Sequence, residues 1–135
     1  MSKSNLYKLA FFLTLSLTVI SCKKEEVVDE VVTATINVTE PSSSDTVVFN
    51  DELHIEGTIS GSAELHGYTI SYINTSTNAV LKTVTYDVHS SSYNFHEHWI
   101  NNVLDATIVK AKIDVTKDHD GNHEIKEVNV VCLPQ

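Results

Sequence analysis

Between Val109 and Cys132 apolar and polar side chains alternate on both sides of a single Asp120-Gly121 pair. That alternation commits the segment to paired β-strands, whose side chains point to opposite faces with a period of two. Asp120-Gly121 suits a type I′ turn, since both positions tolerate positive φ. Pairing outward from it sets Ile113 opposite Val128, Ala111 opposite Val130 and Val109 opposite Cys132. All six share one face, while Lys110, Lys112, Asp114, Glu127 and Asn129 collect on the other. A slip of one residue would exchange the faces, so the inner set is well specified.

The same period runs through the rest of the chain from Thr33 onward, where no segment places apolar residues at sustained helical spacing. Leu53, Ile55 and Ile59 point inward, leaving His54, Glu56 and Thr58 outward. Val80, Val84, Tyr86 and Val88 form another inner set, and Tyr93, Phe95 and Trp99 the next, with Glu97 as an odd member. Clusters of Gly, Ser, Asn and Asp punctuate seven strands, at 33–39, 52–60, 65–74, 79–88, 93–99, 105–117 and 123–132. Pro41 falls in the break at 40–45, where it removes no ladder hydrogen bond. Seven short strands in about 100 residues predict an all-β chain, an immunoglobulin-like antiparallel β-sandwich. The disulfide and third-strand tryptophan of antibody domains are missing, so the expectation concerns architecture only.

Ahead of this domain, Lys3 and Lys8 precede an uncharged apolar run at 9–20, and Ser21 stands just before Cys22. A positive start, a short apolar run and a small residue at the cut describe a secretory signal; a bilayer-spanning helix needs roughly 20 apolar residues. Ending on cysteine, the segment resembles a bacterial lipoprotein signal, with Val19 in place of the usual leucine. The resemblance implies acylation of Cys22. The organisation expected is a signal peptide at 1–21, a lipidated cysteine with an acidic tether at 22–32, and one sandwich domain at 33–135. Cys132 is then the one remaining thiol, a buried apolar residue without a disulfide partner.

Removing Lys3 and Lys8 with the leader takes the formal charge from −9 to −11, and the chain has no arginine. Nucleic-acid binding needs basic side chains to displace counterions from phosphates, so that class is excluded. Bidentate clamps for phosphate or carboxylate are missing too. Anionic headgroups repel such a surface, so membrane attachment would rest on the N-terminal lipid. Cys22-Lys23-Lys24-Glu25-Glu26 resembles the charged post-cysteine segment of surface-exported lipoproteins in Bacteroidota, which implies an outer-membrane, surface-exposed location.

All seven histidines lie in the domain, and the sharpest grouping is His89 with His96-Glu97-His98. On a strand His96 and His98 project from one face about 7 Å apart, a spacing that lets two imidazoles converge on one metal. A tight turn at Ser90-Ser91 sets Asp87 opposite Asn94 and Thr85 opposite His96. His89 then lies about 13 Å along from the position facing His96, too far to share an ion unless the loop folds back. With the 93–99 strand between its two neighbours, the partners of His96 and His98 are His54, Glu56 or Asp87. The alternative is a set of exposed histidines on a polar face. The run 117–123 is superficially like a calcium loop, but lacks the terminal carboxylate of an EF-hand and its flanking helices. No Gly-rich phosphate loop, Gly-x-Ser-x-Gly or His-Glu-x-x-His occurs. The triple serines at 42–44 and 90–92 read as solvated turns, and Asp45-Thr46-Val47 resembles a Bacteroidota O-glycosylation site.

The anchor, the strand pattern, the segment with Asp87, His89, His96, His98 and Trp99, and the opening Glu40-Pro41…Leu53-His54-Ile55-Glu56-Gly57 together resemble an uncharacterised family of small Ig-like lipoproteins from Bacteroidota. The resemblance implies a fold and a location, and treats His89, His96 and His98 as one set. Two functions follow as expectations. The first is a lipid-anchored envelope domain without catalytic activity that binds an envelope protein or a glycan. The second is a metal-binding lipoprotein taking zinc or copper at His96 and His98 with His54, Glu56, Asp87 or His89.

Overall fold

The computed structural model of the chain describes residues 31–135; the signal, Cys22 and most of the tether lie outside the described residues. Six strands are present: β1 (Ala34–Glu40), β2 (Thr46–Val47), β3 (Glu52–Asn74), β4 (Val80–Ile100), β5 (Thr107–Thr116) and β6 (His123–Cys132). β3 and β4 pair antiparallel along nearly their whole lengths, from Glu52 opposite Ile100 to Ile73 opposite Val80. The first part of β3 carries β1 on its other edge, and the last part carries β5, followed by β6 and a short parallel β2. One long hairpin therefore supplies two strands to each layer of an immunoglobulin-like sandwich. Tyr72 and Trp99 meet across the layers at a ring separation of 6.1 Å, and Tyr68 and Phe95 at 6.4 Å.

The seven separate strands of the sequence reading are thus corrected: 52–60 and 65–74 are one strand, as are 79–88 and 93–99. Small and serine side chains around 61–63 and 90–92 do not stop the chain, because both strands turn the corner together and stay paired. The turn at Ser90-Ser91 does not form; Ser90 lies opposite Leu65 and Ser92 opposite Ser60. Register shifts between Ser60 and Leu65, and between His66 and Tyr68, supply the bend. Gly67 makes the second shift with φ of 95°, and a Cβ there would collide with the Tyr86 carbonyl. The Tyr93 hydroxyl braces the corner, reaching the carbonyls of Leu65 (2.9 Å) and Val88 (3.0 Å) and accepting the Ser90 N–H at 3.2 Å. A further correction follows. Residues 92–100 pair with β3 alone and form an edge, so Asp87 is not their neighbour.

Inner faces follow the alternation with local exceptions. Leu53, Ile55, Ile59, Phe95, Trp99, Val109, Ala111, Ile113 and Cys132 are buried. Burying each large aliphatic side chain stabilises the fold by about 1.5–3 kcal/mol. Val80 and Val88 are not in the core: Val80 is 60% exposed beyond a register shift at Tyr72/Ile73, and Leu81 packs inward instead. Val88 sits where β4 leaves its layer at the corner. The inward-facing Glu97 is neutralised by Lys82 at 3.3 Å, whose ammonium also donates to the His98 carbonyl at 2.6 Å. Burial pushes the Cys132 thiol up to about 11.

The last hairpin keeps its faces but shifts by two residues: Ile113 faces Lys126, Ala111 faces Val128 and Val109 faces Val130. Gly121 has positive φ and Asp120 does not, so a type I′ turn is not made. The Asp118 carboxylate instead accepts the backbone N–H groups of Asp120 (3.0 Å) and Asn122 (3.1 Å), closing a longer loop. Asn101, fully buried, donates from its amide to the carbonyls of Val47 and Leu133 and accepts the Val103 N–H. It ties the β4–β5 connection to β2 and the C-terminal segment.

Candidate metal centre

Two His–carboxylate groups with converging ligand atoms form among the described residues, both built on the β3–β4 ladder. In the first, alternation turns Glu52, His54 and Glu56 of β3 outward. Pairing places His98 opposite His54 and His96 opposite Glu56. His54 Nδ1 stands 3.2 Å from His96 Nε2, which stands 3.2 Å from Glu56 Oε1. Around a tetrahedral zinc with bonds of about 2.0–2.2 Å, neighbouring ligand atoms lie about 3.3–3.6 Å apart. Two of the three separations are therefore nearly at ligand spacing already, and all three atoms lie within 4.8 Å of one another.

Glu52 sets the chemistry of this group. Its Oε2 lies 3.0 Å from His54 Nε2 and accepts the proton held there, which leaves the Nδ1 lone pair facing His96. A carboxylate on the far nitrogen is the usual outer partner of a metal-ligating imidazole. His98 is adjacent, its ring 5.9 Å from that of His54 and its Nε2 4.0 Å from Glu52, but it is outside the converging set. The side chains are between a third and three-fifths exposed. Shallow depressions of about 280 and 230 Å³ lie beside them, one lined by Glu56 and His96 and the other by Glu52 and His54. Three protein ligands at an open surface leave a coordination position for water or a partner's group.

His89 and Asp87 belong elsewhere. They stand at the corner, where His89 Nε2 meets Asp87 Oδ1 at 3.3 Å and His89 Nδ1 meets His66 Nδ1 at 3.1 Å. The expected set of six is thus divided: His54, Glu56 and His96 converge, with His98 beside them, and His89 and Asp87 are in the second group. Glu64 and His66, which meet His89, and His119, which lies over the His66 ring, are absent from the sequence expectation. Glu64-x-His66 repeats the alternate spacing of His54-x-Glu56, which marks a shared face but does not reveal what lies across it.

No protein-family model matches the chain, and no curated protein matches it. Among solved structures, fibronectin(III)-like modules of Clostridium thermocellum CbhA are similar at 17% identity and a TM-score of 0.48, over 78% of this chain and 48% of that one. The chain thus spans about half the length of that structure. A CARDB domain from Pyrococcus furiosus, solved in complex with di-metal ions, is similar at 12% identity and a TM-score of 0.42, over 76% of this chain and 94% of that one. The strand order and register described above define the fold independently.

Proposed function

We propose that this chain is an exported lipoprotein, anchored to the outer membrane through acylated Cys22, whose sandwich domain binds a divalent transition metal without catalysing a reaction. The ligands are His54, Glu56 and His96, and zinc or copper is the metal, since imidazole and carboxylate donors suit both. One observation carries the reading: three ligand atoms from adjacent strands converge within 4.8 Å, with His96 Nε2 3.2 Å from both His54 Nδ1 and Glu56 Oε1, and Glu52 holds the far nitrogen of His54. The acidic, arginine-free composition supports cation binding over anion binding. The open coordination position suits capture and hand-over of an ion at the envelope.

The test is calorimetric titration of zinc, then copper, into the full chain purified from membranes without a histidine tag. His96→Ala and His54→Ala should each weaken zinc binding at this group by about 100-fold or more, since even outer-partner losses cost 10–100-fold. Equal affinity in wild type and both variants would end the metal reading. The same preparation reports the anchor: its intact mass should begin at an acylated Cys22, and an unmodified chain starting at Met1 would remove the lipoprotein assignment.

A further inference from the structure

A second histidine cluster lies eight to ten positions further along β3, at the corner between the layers. Glu64 and His66 come from β3 just before the Gly67 bulge, and His89 comes from the facing segment of β4. His66 Nδ1 and His89 Nδ1 are 3.1 Å apart, Glu64 Oε1 lies 3.9 Å from His89 Nδ1, and all three atoms fall within 4.8 Å of one another. Asp87 accepts the His89 Nε2 proton at 3.3 Å, which leaves the Nδ1 lone pair toward His66. His119, on the loop capped by Asp118, covers the His66 ring at a centroid separation of 4.0 Å.

Without an ion the two rings share a single hydrogen bond, His66 Nδ1–H to the His89 Nδ1 lone pair at 3.1 Å. Two Nδ1 atoms face each other, and with Asp87 holding the His89 proton at Nε2, only His66 has a proton to offer between them. With the His66 proton moved to Nε2, a divalent cation would accept both Nδ1 lone pairs and the Glu64 carboxylate together. His66 stands directly opposite His89, in a short stretch of ladder isolated between register shifts at Ser60/Leu65 and His66/Tyr68.

We infer that Glu64, His66 and His89 form a second site for a divalent transition metal, separate from the one on the ladder. It lies where β3 and β4 cross between layers, with the β5–β6 loop folded over it through His119. An ion there joins both strands of the corner. The inference does not depend on the ladder site, since the two share no residue.

Zinc alone serves as the probe, with the full chain in detergent. Elemental analysis after equilibrium dialysis should find two zinc ions per wild-type chain, and one in either His66→Ala/His89→Ala or His54→Ala/His96→Ala. One ion in wild type, retained in His66→Ala/His89→Ala, overturns the second site. Loss of the ladder ion alone leaves it standing. Carbethoxylation of the wild-type protein, read by peptide mass spectrometry, needs no variant. Zinc should slow modification of His66 and His89 at least 10-fold, while His123 reacts as before. Equal rates at His66 and His89 with and without zinc overturn it as well.

Discussion

The two histidine clusters differ in what assembles them. On the ladder, His54, Glu56 and His96 meet because a regular antiparallel register sets side chains opposite one another on one outer face. At the corner, His66 also stands opposite His89, but in a short stretch of ladder between two register shifts, beside a glycine with positive φ and under the β5–β6 loop. The same residue types thus reach similar spacing on a continuous register in one place and between two breaks in it in the other. A cluster on a continuous ladder should survive local damage that one confined between two shifts does not.

Gly67 is where this difference yields the largest effect. A methyl group at Gly67 meets the Tyr86 carbonyl and forces a left-handed backbone on a side chain that resists it. Gly67→Ala should therefore cost about 2 kcal/mol in denaturant unfolding. It should also weaken zinc binding at the corner at least 10-fold, with the ladder titration unchanged. A neutral substitution with both ions bound as before would show that the bulge does not hold the neighbouring His66–His89 pair in place.

Outer carboxylates come next. Glu52 holds His54 at 3.0 Å with its side chain 45% exposed, whereas Asp87 holds His89 at 3.3 Å and is 91% exposed. Solvent competes for the second contact far more than for the first. Glu52→Gln should lower zinc affinity on the ladder about 10–100-fold, and Asp87→Asn should lower it at the corner by less. Calorimetry on the two variants gives the order directly, and a larger loss for Asp87→Asn would reverse it.

The same contrast explains what could be read ahead of the structure. Alternation alone placed Leu53, Ile55 and Ile59 inward and His54 and Glu56 outward, because a regular strand has a fixed period. It also joined His54 and Glu56 to His96, since those strands pair as expected. The position of His89 was not legible. It depends on Ser90 to Ser92 continuing as strand, and serine and glycine clusters more often mark turns. His66 and His119 were hidden for a related reason, as His66 faces His89 only once that strand continues and His119 reaches His66 only from a loop distant in sequence. The β5–β6 register missed by two because the Asp118 carboxylate, and not the dipeptide after it, organises the turn. A two-residue error preserves faces, which is why the core of that hairpin was still read correctly.

A third histidine–carboxylate pair shows what a cluster looks like when it is only an ion pair. His123 Nδ1 meets Asp114 Oδ1 at 2.7 Å, but the other neighbour of that carboxylate is the Lys112 ammonium at 2.9 Å. A cation stands where a second ligand would have to be, so no divalent ion should bind there. Burial raises the Asp114 pKa, yet hydrogen bonds from Lys112 and His123 outweigh it and hold the carboxyl below the usual range. With the folded pKa depressed, the contribution to stability is present above the unfolded value of about 3.9 and is lost as pH falls through the folded value. Partial exposure limits its size to about 1 kcal/mol. Asp114→Asn should therefore cost no more than that at pH 7, and the gap from wild type should close below about pH 4. At pH 7 the zinc stoichiometry of the variant should stay at two. A variant that lost an ion would place Asp114 among the ligands and undo the distinction between paired and ligating histidines.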